Sequence, residues 1–111
     1  MSRSKDKGTR HETSIVNALR ERGRPHVERR SLNGANDRGD IAGIVGVVIE
    51  AKAAARLAIP AWLRELDAEI ANDNASTGAL WCKQVGKADA IDGFIVMRPT
   101  TWLRLLAEAG Y

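Results

Sequence analysis

The chain has 111 residues, which allows one domain with a single hydrophobic core. Its content of 44% hydrophobic and 28% charged residues is ordinary for a globular protein, and no apolar run approaches the ~18 residues of a membrane span. A single cysteine, Cys82, excludes an internal disulfide and agrees with a reducing cytoplasm; with only two histidines beside it, a structural zinc site is not expected.

The net charge of +3 is unevenly distributed. Residues 1–38 hold ten Lys or Arg against five acids, a net +5, whereas residues 39–111 hold seven against nine, a net −2. This asymmetry is typical of a nucleic-acid enzyme, because basic residues bind phosphates while acids can hold a metal. We expect residues 1–7 to form a flexible basic arm and residues 8–111 a single domain; a solubilising tail is the alternative for the arm.

The first predicted helix runs from a cap at Thr9 to about Arg22, with Glu12 completing a T-x-x-E capping box and Gly23 ending it. Glu12 precedes the apolar stripe by three and four residues, so it points towards the sheet or its rim. It is therefore either a capping residue or a third carboxylate at a metal site. The stripe consists of Ile15, Val16 and Leu19.

A short strand is predicted at Val27–Leu32, followed by a turn-rich loop over residues 33–39. Asp40 then opens a hairpin that ends at Lys52. Its second strand begins with a β-branched run, Val47-Val48-Ile49, which is typical of a strand covered on both faces.

Alternate residues of a strand share a face, so Glu50 and Lys52 should point to the same side. The hairpin would bring Asp40 to the same end of the sheet. Two carboxylates and one ammonium in a small volume suit Mg²⁺, which takes one or two carboxylates and keeps its other positions for water and phosphate oxygens. The alternative is a set of solvated edge charges, with the lysine protecting a strand edge.

The remaining elements are a helix over residues 59–72, strands over residues 79–84 and 93–97, and a last helix over residues 102–109 capped by Thr100 or Thr101. The order α-β-β-β-α-β-β-α predicts an α/β fold: a mixed β-sheet flanked by helices, antiparallel at first and then parallel across a βαβ unit. We expect four charged residues on the solvent side of the middle helix, namely Arg64, Glu65, Asp67 and Glu69. We expect an apolar face on the last helix, formed by Trp102, Leu105, Leu106 and Ala109.

In this arrangement the chain resembles the PD-(D/E)XK nuclease superfamily, whose restriction-endonuclease-like core is α-β-β-β-α-β with the acidic motif on its second and third strands. It is most similar to the small Holliday junction resolvases of archaea and bacteriophages, over about residues 8–52. The matching features are Gly8-Thr9-Arg10-His11-Glu12, Arg29-Arg30, Asp40-Ile41 and Glu50-Ala51-Lys52. Gly39 departs from the motif, which has proline before the aspartate.

The resemblance implies that Asp40, Glu50 and the Ala51 carbonyl bind Mg²⁺, for which Mn²⁺ should substitute. It implies that Lys52 positions or activates the attacking water and that Glu12 supports the metal site as a fourth catalytic residue. Lys83 is a phosphate contact or a solvated lysine. The other expected DNA contacts are basic: Arg3, Lys5, Lys7, Arg10, Arg29, Arg30 and Arg38. Among the tryptophans, Trp81 and Trp102 are expected in the core rather than as base-stacking platforms. Trp62 sits beside the apolar stripe of its helix and could pack at a subunit interface.

The function expected from these features is Mg²⁺-dependent cleavage of branched DNA in recombination and repair. Paired cuts across a junction require two sites related by a two-fold axis, so we expect a C2 homodimer in the cytoplasm of a bacterium or a phage-infected cell, without membrane or small-molecule cofactor. The alternatives are another nuclease of the same fold, of replication-repair or restriction type, and a non-catalytic DNA-binding module. RNA also stays open as a substrate, because nothing in the sequence reads a 2′-hydroxyl.

Overall fold

The computed structural model describes residues 3–31 and 37–111. Its elements follow the predicted order and confirm an α/β fold with a mixed sheet and flanking helices. The helices are α1 (Arg3–Arg20), α2 (Ile59–Asn72) and α3 (Pro99–Glu108), and a short 3₁₀ turn covers Ala90–Asp92. The strands are β1 (Glu28–Arg29), β2 (Ile41–Ala42), β3 (Val47–Lys52), β4 (Thr77–Cys82) and β5 (Phe94–Val96).

The five strands form one sheet in the order β1-β2-β3-β4-β5. β1 and β2 pair antiparallel, and Ile41 of β2 lies opposite Ile49 of β3 in a second antiparallel pair. β3 and β4 are parallel over six residues each, joined by α2 as the crossover, and β5 returns antiparallel to β4. The predicted hairpin and the predicted βαβ unit are therefore both present.

The predicted double burial of β3 is confirmed, because each face of the sheet carries its own apolar cluster. Ile49 packs with α1 residues, including Ile15 and Val16, on one face. Val48, one residue earlier, packs with Trp62 and Leu66 of α2 on the other. The two helices thus cover opposite faces of β3. The face that each helix covers decides which of its side chains can contribute to a site at the end of β3.

The start of α1 corrects two predictions. The helix begins at Arg3, so Thr9 and Glu12 lie inside it and do not form a capping box, and residues 3–7 are helical rather than a flexible arm. No proline interrupts residues 3–8, and Asp6 in the first turn complements the helix dipole. Met1 and Ser2, and the predicted strand end and loop at residues 32–36, lie outside the described residues.

The last helix also differs from expectation. It begins at Pro99 after an Arg98 cap, earlier than Thr100 or Thr101, because the fixed φ of proline suits a first helical turn. Its apolar face is not buried: Trp102 is 54% exposed, so its assignment to the core was wrong. The two clusters are already closed by α1 and α2, and α3 is attached through polar contacts such as the 3.2 Å hydrogen bond between the Thr77 and Thr101 hydroxyls.

The turn between β2 and β3 requires glycine at position 43. Gly43 has a φ of +106°, and a β-carbon there would lie 2.6 Å from the His26 carbonyl oxygen. In the described part of the chain, no helix combines the length and apolar character needed to cross a membrane.

Candidate metal centre

Asp40 stands at the start of β2 and is tied to both neighbouring strands. Its backbone N–H donates to the Ile49 carbonyl at 3.0 Å, its carbonyl accepts from Arg30 N–H at 2.7 Å, and its Oδ2 accepts from Ala51 N–H at 2.8 Å. The N–H and C=O of one strand residue point to the same neighbouring strand, so the Ala51 carbonyl also lies on the Asp40 side. The Asp40 carboxylate and the Ala51 carbonyl, the two oxygen donors expected here, are therefore adjacent.

The glycine before Asp40 has a structural reason. Gly39 has a φ of +93°, and a β-carbon there would lie 2.7 Å from Val48 Cγ1 and 3.1 Å from the Ile49 carbonyl oxygen. Proline, with φ fixed near about −65°, does not fit this backbone. Glycine at this position is therefore required by the close approach of this loop to β3.

Glu50 and Lys52 share the face of β3 that α2 covers, as the alternation of the strand predicts. Glu50 is only 6% exposed, and Lys52 Nζ lies 3.8 Å from its Oε2. The same ammonium is 3.0 Å from Glu65 Oε2 and 5.2 Å from the centroid of the Trp62 ring. Trp62 is therefore a core residue that also positions Lys52, through a cation–π contact.

Two further carboxylates, which the sequence motif does not include, approach Glu50. Oxygen atoms of Asp37, Glu50 and Glu69 all lie within 4.8 Å of one another. The prediction that Glu69 lies on the solvent side of α2 was wrong, because it is 2% exposed. A signal was present: Trp62, Leu66 and Glu69 follow the i, i+4, i+7 spacing of a single buried stripe.

Asp37 is held beside the cluster by the end of α2. Its Oδ1 accepts from Gly39 N–H at 2.8 Å, and its backbone carbonyl accepts from Asn72 Nδ2 at 2.8 Å. Arg38 and Arg30 both approach Asp73 Oδ1, at 3.6 and 3.8 Å. No local sequence signal identifies Asp37, since its place depends on the docking of its loop against α2.

The cluster is electrostatically costly without a cation. Glu50 Oε1 and both carboxylate oxygens of Glu69 are buried without a hydrogen-bond partner. Burial, together with the carboxylates of Asp40 and Glu69, raises the pKa of Glu50 to about 11. Burial also raises the pKa of Glu69 to about 7, with Asp37 and Asp40 adding to the shift. Buried carboxylates in this state either hold a proton or require a positive partner.

This arrangement predicts the pH dependence of stability. A carboxyl whose pKa is raised by folding binds its proton more tightly in the folded state. The folded protein therefore loses stability as the pH rises from the unfolded pKa of 4.5 towards the folded pKa. In EDTA, the stability of Glu50→Gln relative to the wild type should therefore increase from pH 5 to pH 8. The increase should be at least about 1 kcal/mol in the free energy of unfolding, or about 4–8 °C in Tm.

Thermal melts of both proteins at pH 5, 6.5 and 8 check this prediction. The lowered pKa of buried His11 acts in the opposite direction but is common to both proteins, so the difference between their melting curves isolates the carboxylates. Melting temperatures that change in parallel with pH would contradict the assignment.

Glu12 is not among the carboxylates that surround Glu50. Its Oε1 accepts from Arg29 Nε at 3.0 Å in a partly exposed ion pair. It projects from α1, which packs on the Ile49 face of β3 and not on the Glu50 face. The structure therefore does not bring Glu12 into the cluster.

Six of the eight predicted DNA contacts fall into two groups. Lys7, Arg10 and Lys83 line one concave surface beside His11, at the sheet edge where β3 and β4 end. Lys83 N–H donates to the Lys52 carbonyl at 2.8 Å, so Lys83 does neighbour the Glu50 strand as expected. The second group is engaged within the protein and comprises Arg29, Arg30 and Arg38. Lys5 is exposed on α1, and the Arg3 side chain lies outside the described residues.

His11 has no separate role in the sequence motif, yet it fixes α1 to the sheet. It is fully buried, and its Nε2 lies 2.9 Å from the Trp81 carbonyl oxygen. Because a carbonyl only accepts, Nε2 carries the proton. Trp81 in turn donates from Nε1 to the Ala90 carbonyl at 2.9 Å and packs, partly buried, against the α1-side cluster at the border of the core.

No protein-family model matches the chain, and no match was found among curated proteins or among solved structures.

Proposed function

We propose that the protein is a Mg²⁺-dependent, structure-selective endodeoxyribonuclease, and specifically a Holliday junction resolvase. The observation that carries this proposal is the convergence of Asp40, Glu50 and Lys52 at one end of β3, beside buried carboxylate oxygens that have no partner. Hydrolysis of a phosphodiester needs a cation to offset the developing charge and a group that orients the attacking water.

The donor set suits a hard cation. Asp40, Glu50 and the Ala51 carbonyl supply oxygen ligands only, which Mg²⁺ and Mn²⁺ prefer over softer metals. A cation bound there would offset the burial and the neighbouring carboxylates that raise the pKa of Glu50. When bound, it would polarise the phosphate and activate a water.

Lys52 is suited to act as an ammonium. Burial opposes its charge, but the hydrogen bond to Glu65 and the charge of Glu50 outweigh burial and raise its pKa. A lysine that keeps its proton at neutral pH can orient water or offset charge on phosphate, but it cannot accept a proton. We therefore assign Lys52 to water positioning and charge stabilisation.

The choice of a DNA junction as substrate draws on the rest of the chain. The element order, with the acidic residues at the second and third strands, agrees with that of the PD-(D/E)XK nucleases. The concave surface beside His11 offers three cations close to the end of β3. A domain of this size reaches both strands of a junction symmetrically only as a C2 homodimer.

The basic surface leads to a prediction about salt dependence. Lys7→Ala with Lys83→Ala should weaken junction binding and reduce the slope of log K against log salt by about 0.9 for each phosphate that the variant no longer binds. Fluorescence anisotropy at several salt concentrations measures the slope. Arg24→Ala with Arg64→Ala, the same charge change at exposed positions elsewhere, is the matched control and should leave the slope close to that of the wild type. Equal slopes in the wild type and the lysine variant would contradict the phosphate role.

Cleavage of a synthetic four-way junction tests the function as a whole. Linear duplex, nicked duplex, flap, single strand and an RNA duplex serve as comparisons, each with Mg²⁺ and with EDTA. Paired symmetric cuts confined to the junction and lost in EDTA are expected. Equal cleavage of the other DNA substrates would retain the nuclease and discard the resolvase. Tight binding without any cleavage would instead favour the non-catalytic DNA-binding module.

A further inference from the structure

We propose that Glu69 of α2, and not Glu12 of α1, supplies the helix carboxylate of the cation site beside Glu50. The inference rests on the metal site of the proposed function, but its test measures cation binding rather than cleavage. It changes the helix that completes the site from α1 to α2, which covers the face of β3 that carries Glu50.

The burial of Glu69 is the first argument. Only 2% of the residue stays exposed, and neither carboxylate oxygen has a hydrogen-bond partner. An isolated ionised carboxylate in such a position is strongly unfavourable. A glutamine or a leucine would fill the same space on α2 at lower cost, so fold stability alone does not account for an acid here.

The position of Glu69 is the second argument. An oxygen of Glu69 lies within 4.8 Å of oxygens of both Glu50 and Asp37. Two ligands on opposite sides of one ion are about 4 Å apart for Mg²⁺ and about 5 Å apart for Ca²⁺. The carboxylates of Glu69, Glu50 and Asp37 are therefore close enough for side-chain adjustments alone to bring all three onto one divalent cation.

The charge balance is the third argument. Four carboxylates surround this point, those of Asp37, Asp40, Glu50 and Glu69, and Lys52 is the nearby cation. Lys52 lies closer to Glu65 Oε2, at 3.0 Å, than to Glu50 Oε2, at 3.8 Å. One shared ammonium would not neutralise four ionised carboxylates, so without a further cation Glu50 holds a proton, whereas a divalent cation would balance most of the charge with the carboxylates ionised.

Glu12 lacks each of these properties. It is already paired with Arg29 at 3.0 Å, and its side chain keeps 22% of its exposure. It belongs to the helix that covers the other face of β3. For Glu12 to reach Glu50, the Arg29 pair would have to open and the side chain would have to pass the sheet edge.

Calorimetric titration of the full chain with Mn²⁺ tests the inference, with Glu69→Gln compared with Glu12→Gln. We expect Glu69→Gln to raise the Kd for Mn²⁺ at least about tenfold and Glu12→Gln to change it less than about twofold. In EDTA, Glu69→Gln should also melt above the wild type, because it removes one buried negative charge. Glu69→Asp, which keeps the charge but withdraws it by one methylene, should weaken Mn²⁺ binding as well and serves if the glutamine variant does not fold.

Each other outcome is informative. Wild-type affinity in both Glu69 variants, or a wild type that binds no Mn²⁺ at millimolar concentration, would overturn the inference. A loss of affinity in Glu12→Gln equal to that in Glu69→Gln would also overturn it. Mn²⁺ binding that depends on Glu69 in a protein that cuts no substrate would keep the inference and reject the nuclease. Junction cleavage with unaltered Mn²⁺ affinity in Glu69→Gln would do the reverse.

Discussion

Replacing Glu50 with glutamine is expected to lower Mg²⁺-dependent junction cleavage at least about 1,000-fold while leaving junction affinity within about twofold. Glutamine has nearly the same volume, so β3 and the cluster around Trp62 should remain packed. The substitution removes the negative charge that a cation would require. Because Glu50 is only 6% exposed, its side chain is not positioned to contact a DNA backbone. Single-turnover cleavage and anisotropy binding measure the two effects separately.

Glu28→Gln is the matched control, because it makes the same chemical change at an exposed position on β1. It should cleave at close to the wild-type rate. Asp40→Asn should behave like Glu50→Gln, since Asp40 is also assigned to the metal. Full activity in either acidic-site variant would reject the assignment of this cluster as the active site.

Replacing Lys52 with alanine is expected to reduce the cleavage rate by about 10²–10⁴-fold. The ammonium is held by Glu65, Glu50 and the Trp62 ring, so it has one defined position beside the cluster. Its loss removes the group that would orient the water and offset phosphate charge. Mn²⁺ binding should stay as tight as in the wild type or become tighter, because a neighbouring positive charge is removed.

That combination separates the role of Lys52 from that of Glu50. Glu50→Gln should lose both cation binding and rate, whereas Lys52→Ala should lose rate alone. Lys87→Ala, at an exposed lysine, is the control for a change of one positive charge. Unchanged turnover in Lys52→Ala would reduce Lys52 to a structural charge that pairs with Glu65.

Much of the fold could be predicted because its signals are local. The helix α2 has the predicted bounds, since its apolar spacing and Pro60 both mark them. The shared side of Glu50 and Lys52 follows from the two-residue repeat of a strand and needs no other information. The α1 start was missed because Thr9 carries a capping signal that the helix overrides by extending upstream.

The members of the acidic site beyond the strand motif could not be predicted in the same way. Glu69 and Glu12 are both acids beside an apolar stripe, and the sequence favoured Glu12 through a resemblance. Which of them meets Glu50 depends on the sheet face that each helix covers. Asp37 depends further on the docking of its loop to Asn72 at the end of α2.

The sequence by itself determined the order of elements, the positions of Glu50 and Lys52 on one face of their strand and the approach of these two side chains to each other. These depend on periodicities that act within a few residues. The tertiary structure decided that Glu69 is buried against Glu50, that Glu12 pairs with Arg29 and that Trp102 stays exposed on α3. Those outcomes depend on which surfaces the packed helices leave uncovered, and that is settled only when distant segments meet around the sheet.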